Sequence, residues 1–87
     1  MVKTMNKVLV KLYVPVIEQE YDIWLPINKK IHKIVGWLEK SVNELSGGYY
    51  TPSHTPMLYD KNSARPYNMN LNVKENNIKN GSEIILI

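Results

Sequence analysis

One long helical pattern flanked by short strand patterns constrains the fold of this chain more than any other feature. From Ile31 to Leu45, apolar residues recur every three or four positions, so they share one side of an α-helix. A helix of this kind needs another element to cover its apolar side. The stripe consists of Ile31, Ile34, Val35, Leu38, Val42 and Leu45.

The helix is predicted over residues 29–45. Ser46-Gly47-Gly48 follows it, and glycine readily takes the left-handed conformation that ends many helices. Gly36 lies inside the helix, where it costs about 1 kcal/mol relative to alanine. We expect that glycine to allow a close approach of the helix to a sheet. The opposite side is predicted to be polar and carries Asn28, Lys29, Lys33, Glu39, Lys40 and Asn43.

Strand patterns precede and follow the helix. Residues 7–14 and 21–25 alternate apolar residues on one face and are joined by a short connection, which is typical of an antiparallel hairpin. Pro26 is predicted to end the second strand because it has no N–H group. Residues 57–60 and 82–87 are predicted strands, and 64–68 is a short extended segment. Asn80-Gly81 predicts the turn before the last strand.

This order predicts an α+β fold: a mixed sheet of four to five strands with one helix packed across one face. The first and last strands are the most apolar, which favours parallel pairing at the centre of the sheet. Leu71, Val73 and Ile78 are predicted anchors within an asparagine-rich connection. The residues predicted to face the helix are Val8, Val10, Leu12, Tyr21, Ile23, Leu25, Ile84 and Leu86.

The chain length and the absence of cysteine limit the possible functions. Eighty-seven residues suit one domain, and we expect a flexible leader over residues 1–6 and a single domain over 7–87. No cysteine is present, which excludes disulfides, thiolate zinc sites and cysteine nucleophiles. No apolar run approaches the roughly 18 residues that a membrane span requires. We therefore expect a soluble, unprocessed protein, and the absence of cysteine suits a reducing compartment such as the cytoplasm.

The chain resembles the β-grasp, or ubiquitin-like, fold from about residue 7 to residue 87. The closing segment 73–86 is similar to the end of ubiquitin-like domains, with an apolar anchor, a buried isoleucine, a turn and the last strand. Tyr21-Asp22-Ile23-Trp24-Leu25-Pro26, followed by Ile31 and Ile34, most resembles the YukD-type ubiquitin-like proteins of Gram-positive type VII secretion systems.

This resemblance implies a non-catalytic protein-binding module, an accessory or regulatory component peripheral to a membrane secretion complex. Its partners would be secretion-machinery subunits. The alternative is an interaction or self-association domain of another bacterial complex. The sequence stops at Ile87 without the Gly-Gly tail of conjugated ubiquitins, so we expect a non-conjugated protein.

No catalytic, cofactor or metal motif is present. His32 and His54 are not at a zinc spacing, and the serines and carboxylates form no recognisable catalytic arrangement. We therefore expect no catalytic residue, no cofactor and no bound metal.

The predicted binding surface is the sheet face that points away from the helix. Large apolar side chains on a free sheet face are seldom left bare in monomers, and tryptophan and tyrosine are common at binding hot spots. The alternatives are coverage by the leader, by the loop 49–56 or by a second copy. The predicted protein-binding residues are Leu9, Tyr13, Trp24, Ile85 and Ile87.

Two further groups of side chains carry weaker hypotheses. Lysines 29, 30, 33 and 40 predict either an ordinary solvated helix face, the preferred interpretation, or a docking surface for an acidic partner or membrane. Tyr49, Tyr50, Tyr59 and Tyr67, interleaved with Lys61 and Arg65, suit weak nucleic-acid binding as a third function. Packing is the commoner role of such tyrosines, so we expect no nucleic-acid partner.

Overall fold

A computed structural model describes residues 6–52 and 55–87 of the chain. The predicted leader, apart from Asn6, and His54 lie outside these residues. The elements are β1 (Lys7–Val14), one 3₁₀ turn (Pro15–Ile17), β2 (Gln19–Pro26), α1 (Ile31–Leu45), β3 (Leu58–Asp60) and β4 (Glu83–Leu86).

The four strands form one mixed sheet in the order β2-β1-β4-β3. β1 pairs antiparallel with β2 and parallel with β4, and β3 pairs antiparallel with β4. The predicted hairpin and the central parallel pair are both confirmed. The predicted segment 64–68 contributes a single bridge, between Tyr59 and Pro66, instead of a strand.

Pro26 is itself paired in the sheet, contrary to the prediction that strand pairing stops before it. It is the last residue of β2 and lies opposite Lys7. The next residue, Ile27, donates its N–H to the Asn6 carbonyl at 2.9 Å. Hydrogen-bonded and non-bonded pairs alternate along an antiparallel ladder, so Pro26 lies at a position where no N–H is needed.

The core lies between α1 and one face of the sheet. The side chains predicted to face the helix are buried, or in the case of Val8 and Tyr21 partly buried against the core. The predicted burial was wrong for two side chains of α1. Leu45 is 59% exposed, and Glu39, predicted to be solvated, is buried. The stripe therefore ends at Val42, and Glu39 replaces Leu45 among the buried residues of the helix.

Hydrogen bonds from distant parts of the chain fix the beginning of α1. Lys30 is extended and provides no side-chain cap. The N–H groups of Ile31 and His32 instead donate to the carbonyls of Leu71 and Met69, at 3.0 and 3.1 Å. The asparagine-rich connection thus satisfies N–H groups that the first turn of a helix leaves unpaired.

The end of α1 is as predicted. Gly47 and Gly48 have φ values of 69° and 91°. Gly48 N–H donates to the Asn43 carbonyl at 2.8 Å, and Gly47 N–H donates to that of Glu44 at 3.2 Å, which is a Schellman arrangement. The expectation for Gly36 was wrong, because this residue is exposed and a Cβ built on it would meet no atom within 4 Å.

Asparagine side chains hold the connection after β3 in place. Asn76 donates to the carbonyls of Asn68 and Asn72 at 3.1 and 2.9 Å and accepts from Asn68 N–H at 2.9 Å. Val73 and Ile78 are buried as predicted, whereas Leu71 is 37% exposed and contributes through its carbonyl. The connection is therefore ordered mainly by hydrogen bonds between local side chains and backbone.

Candidate functional site

Four of the five predicted binding residues lie in two cross-strand pairs on the outer face of the sheet. The fifth, Ile87, is the last residue of the chain. Leu9 lies opposite Trp24 on β2, and Tyr13 lies opposite Ile85 on β4. Trp24 and Ile87 are 46% and 59% exposed. Leu9, Tyr13 and Ile85 are only partly exposed.

Charged residues separate the two pairs. Lys11 lies between Leu9 and Tyr13 on the same face, opposite Asp22 on one side and Glu83 on the other. Its ammonium nitrogen is 3.7 Å from the Asp22 carboxylate. Leu9 and Tyr13 are themselves about 13 Å apart along the strand. The five residues therefore do not form the single apolar cluster that the alternation predicted.

The Tyr13 end of this face is partly covered by the chain itself. Lys61, in the turn after β3, places its Nζ 5.5 Å from the centre of the Tyr13 ring and 3.8 Å from a Glu20 carboxylate oxygen. A cation over an aromatic face is attracted to the ring electrons. This coverage leaves Ile87 as the well-exposed apolar side chain among the predicted residues at this end.

A groove at the open edge of β2 brings Trp24 together with the helix. It has a volume of about 360 Å³ and contains both tryptophans of the chain. We call it the tryptophan groove, and it is lined by Lys7, Trp24, Pro26, Lys29, Lys33, Ile34 and Trp37.

Trp24 borders two surfaces because it stands at the edge of the sheet. Its alternation with Ile23 and Leu25 predicted that it points away from the helix, and it does line a shallow outer pocket with Leu9. It also lines the tryptophan groove beside Ile34 and Trp37 of α1. The prediction for Trp24 was therefore correct for the outer face and incomplete for the helix side.

Sequence reasoning missed Trp37. It lies three residues after Ile34 and four after Lys33, at the flank of the buried stripe, and it is 46% exposed. The available signal was a large aromatic residue beside, and not within, an apolar helical stripe. No sequence pattern indicated that this flank would lie next to Trp24, since the two residues belong to different elements.

The tryptophan groove has a basic rim. Lys7, Lys29 and Lys33 line it, and none of them belongs to the ion pairs Lys11–Asp22 and Lys61–Glu20. Lys29 is fixed at its backbone, where its carbonyl accepts a 3.2 Å hydrogen bond from Val73 N–H. The groove therefore combines exposed indole surface with positive charge.

A second apolar surface lies at the opposite end of the helix. A pocket of about 620 Å³ is bordered by exposed apolar side chains, with Val16 at 75%, Leu45 at 59% and Tyr49 at 83% exposure. No charged side chain lines it. Its lining also includes the polar side chains of Gln19 and Ser46, so the surface is mixed in character.

The polar groups with shifted pKa values serve the structure of the loops. The Ser63 hydroxyl, 2.7 Å from a carboxylate oxygen of Asp60, holds the pKa of that carboxyl below its usual range. Burial and the nearby Asp60 carboxylate raise the pKa of Tyr67 to about 12. These groups fix the turn that follows β3.

The described residues contain no cluster of metal-ligating side chains. His32 is exposed on α1. Within the same ranges, no helix is long and apolar enough to cross a bilayer. Tyr50, one of the tyrosines considered for stacking on bases, is buried in the core, and Tyr49 is the well-exposed member of that group.

Comparison with solved structures identifies the fold. The EccD5 ubiquitin-like domain from Mycobacterium xenopi aligns with a TM-score of 0.80 and 18% identity, covering 95% of this chain and 94% of that one. The ubiquitin-like domain of the Mycobacterium tuberculosis type VII secretion protein ECCD1 aligns with a TM-score of 0.77 and 14% identity, covering 95% and 99%. The chain therefore has the ubiquitin-like β-grasp fold, as its sequence predicted.

A third neighbour belongs to a larger assembly. A chain of the MycP5-free ESX-5 inner membrane complex aligns with a TM-score of 0.81 and 15% identity. The alignment covers 95% of this chain and 21% of that one. No family model matches the sequence, and no curated protein matches it.

Proposed function

We propose that this chain is a non-catalytic, protein-binding ubiquitin-like module and an accessory or regulatory component of a bacterial type VII secretion system. The observation that carries this proposal is the alignment over 95% of the chain with ubiquitin-like domains of secretion proteins. The YukD-type resemblance of residues 21–26 supports the same assignment. In this role the protein acts on the cytoplasmic side of the membrane complex.

The surfaces of the molecule support binding more than chemistry. The described titratable groups with shifted pKa values stabilise loops and the interior, and none of them lines the tryptophan groove. The groove instead offers two half-exposed indoles, the residue type most enriched at binding hot spots. A protein partner is the ligand class that suits this composition.

Self-association is the second candidate function, and the position of β2 favours it. Within residues 6–52 and 55–87, β2 pairs with β1 alone and leaves one strand edge open. An open edge can pair with the same edge of a second copy. In this alternative the chain is an interaction domain of another bacterial complex.

Deletion of the gene in the encoding bacterium tests the secretion assignment. We expect reduced secretion of the small helical substrates of the system, restored by the wild-type chain expressed in trans. Affinity purification of the tagged chain should recover named subunits of the membrane secretion complex. Normal secretion in the deletion strain, together with purification free of those subunits, would reject the assignment.

A further inference from the structure

The end of the molecule where the β1–β2 turn meets the end of α1 exposes three apolar side chains. Val16 lies in the 3₁₀ turn, Leu45 is the last residue of α1, and Tyr49 follows the glycine end of the helix. Each of them is more exposed than either tryptophan of the chain. All three line the pocket of about 620 Å³ described above, and we call this area the Val16 surface.

The Val16 surface presents side chains and no free strand edge. Its β2 residues, Gln19 and Tyr21, lie opposite even-numbered residues of β1. The odd-numbered residues of β1 direct their backbone groups toward β4, since Lys11 N–H donates to the Ser82 carbonyl at 2.9 Å. The even-numbered ones therefore bond to β2 and use the backbone groups of Gln19 and Tyr21. A partner of this surface must bind through side chains.

An amphipathic helix is the element that binds through side chains alone, because its own backbone groups are already paired. Side chains three or four positions apart lie on one side of such a helix. Val16 and Tyr49 belong to two different segments of the chain and border one pocket. A helix that lies between these segments can place an apolar side chain in the pocket and contact both of them.

Two glutamates adjoin the lining residues of the Val16 surface. Glu18 lies in the chain between two residues that line the pocket, and Glu44 precedes Leu45. Both glutamates are exposed, and neither belongs to the ion pairs that Lys11 and Lys61 form. The margin of this apolar surface is therefore acidic.

The end of α1 adds partial negative charge to the same place. The aligned peptide dipoles of a helix make its C-terminal end favourable for cations. No basic residue lies in the last turn of α1. Lysines are gathered at the other end of the helix, where Lys7, Lys29 and Lys33 line the tryptophan groove. The Val16 surface is thus apolar and locally negative on a chain whose formal charge is +3.

We propose that the Val16 surface binds an amphipathic helix of a partner protein, with an apolar side and basic residues along its margin. The apolar side contacts Val16, Leu45 and Tyr49. The basic residues lie near Glu18, Glu44 and the C-terminal end of α1. This inference rests on the protein-binding role proposed above. It adds a second binding site, apart from the tryptophan groove, and specifies the chemistry of its ligand.

The same charges disfavour two other ways of covering this surface. Two copies related by a two-fold axis would bring identical surfaces together, so Glu18 and Glu44 of one copy would meet those of the other. A membrane leaflet rich in anionic lipid would repel the same carboxylates. A basic helix is the occupant that suits both the apolar area and its acidic margin.

Two designed helical peptides test the charge preference. Both carry leucines on one side and a fluorescent label, and their margins carry lysines in one peptide and glutamates in the other. Fluorescence anisotropy during titration with the 87-residue protein gives each dissociation constant. We expect the lysine peptide to bind at least about tenfold more tightly at low salt, and added salt to reduce the difference. This preference is diagnostic because it opposes the net positive charge of the chain.

Substitutions of exposed apolar residues separate this surface from general attraction to the chain. Val16→Ser and Tyr49→Ser should each weaken binding of the lysine peptide about fivefold or more. Leu71→Ser removes an exposed apolar side chain near the beginning of α1 and is the matched control. We expect Leu71→Ser to change the dissociation constant less than about twofold, and circular dichroism should show all three variants folded.

The acidic margin has its own pair of variants. Glu44→Gln removes one negative charge beside the surface and should weaken binding of the lysine peptide about threefold or more at low salt. Asp22→Asn removes one negative charge from the outer face of the sheet and is the control for net charge. We expect Asp22→Asn to change the dissociation constant less than about 1.5-fold.

Nuclear magnetic resonance locates the bound peptide. In ¹⁵N-labelled protein, the lysine peptide should shift the amide signals of residues 16–19 and 44–49. The indole N–H signals of both tryptophans should stay in place, because these residues line the tryptophan groove and not the Val16 surface. Shifts confined to the tryptophans would contradict the proposed location.

Three further results would overturn the proposal. The first is equal binding of the lysine and glutamate peptides, and the second is unchanged binding by Val16→Ser and Tyr49→Ser. The third is failure of the lysine peptide to bind while Val16→Ser abolishes a dimer in light scattering or binding to anionic phospholipid vesicles. Specific binding of the lysine peptide without a secretion phenotype would instead reject the secretion assignment and retain the Val16 surface.

Discussion

The hydroxyl of Tyr50 donates a 2.8 Å hydrogen bond to a carboxylate oxygen of Glu39, and both side chains are buried. The backbone of Tyr50 is also tied to the end of α1, through Ser46 Oγ at 3.0 Å and Asn43 Nδ2 at 2.7 Å. These contacts hold the segment that follows α1 against the helix, with the Tyr50 ring in the core. They also explain how a carboxylate on α1 is accommodated in the interior.

The first prediction concerns this buried pair. Tyr50→Phe keeps the buried ring and removes one hydrogen-bond donor from the Glu39 carboxylate, so the free energy of unfolding should fall by about 1–3 kcal/mol. Urea unfolding monitored by circular dichroism measures the change. Tyr49→Phe removes a hydroxyl from an exposed ring and should leave stability unchanged. Equal stability of both variants would show that the Tyr50 hydroxyl contributes nothing.

The second prediction concerns alkaline pH. Burial, followed by the hydrogen bond to Glu39, raises the pKa of Tyr50, and burial beside Asp60 raises that of Tyr67 from 10.0 to about 12. Between those pH values the unfolded chain releases phenolic protons that the folded chain retains. The corresponding stability is present below pH 10 and is lost as the pH rises toward 12.

Thermal unfolding midpoints measured across this alkaline range test the second prediction. Tyr67→Phe should flatten the fall in stability because it removes one of the ionising groups. An identical pH profile in the variant would contradict the assignment. Absorbance titration of the tyrosinates provides an independent reading of the raised pKa values.

The third prediction is that Gly36→Ala stabilises the protein. Gly36 lies in the middle of α1, and an added Cβ would meet no atom within 4 Å. Alanine should therefore raise the free energy of unfolding by about 0.5–1 kcal/mol through its better helix propensity. A destabilised variant would indicate a contact at this position that the structure does not contain.

The fourth prediction compares two leucines of the same helix. Leu38 is fully buried, and Leu38→Ala should cost about 2–5 kcal/mol through lost burial and a residual cavity. Leu45 is 59% exposed, and Leu45→Ala should stay within about 0.5 kcal/mol of the wild type. Denaturant unfolding of the two variants gives the difference. Similar costs would place Leu45 back in the core.

The fifth prediction concerns the divided outer face of the sheet. Lys11 and Asp22 separate the apolar ends of this face, and the tryptophan groove lies at the Trp24 end. Trp24→Ser should therefore weaken recovery of secretion subunits, whereas Ile87→Ser, at the other end, should have little effect. Quantitative co-purification with each variant tests this. Equal losses would support a single binding surface across the face.

For residues that follow a strand or helix period, the sequence largely predicted which side chains are buried. β1 has its predicted limits at Lys7 and Val14, and the helix-facing residues of three strands are buried or partly buried. Burial follows period in these elements because each packs against a single core. The helical period failed to predict burial at Leu45, the last residue of α1, which is exposed, and at Glu39, whose buried carboxylate accepts a hydrogen bond from Tyr50.

The candidate site was predicted less completely. Trp24 was predicted from its position between Ile23 and Leu25. The tryptophan groove was not, because it joins the edge of β2, the loop before α1 and one flank of the helix. Proximity of that kind depends on how elements are placed in space, and alternation within one element contains no information about it.

By itself, the sequence determined the ubiquitin-like order of strands and helix, the face of each strand that enters the core and the glycine end of α1. Those features follow from local conformational preferences and from burial of apolar stripes. The tertiary structure alone decided which carbonyls accept hydrogen bonds from the first N–H groups of α1. It also decided why Pro26 can be the last residue of β2 and which lysines surround Trp24 and Trp37. Each of these depends on hydrogen bonds or charges that meet across long stretches of chain, where local patterns have no influence.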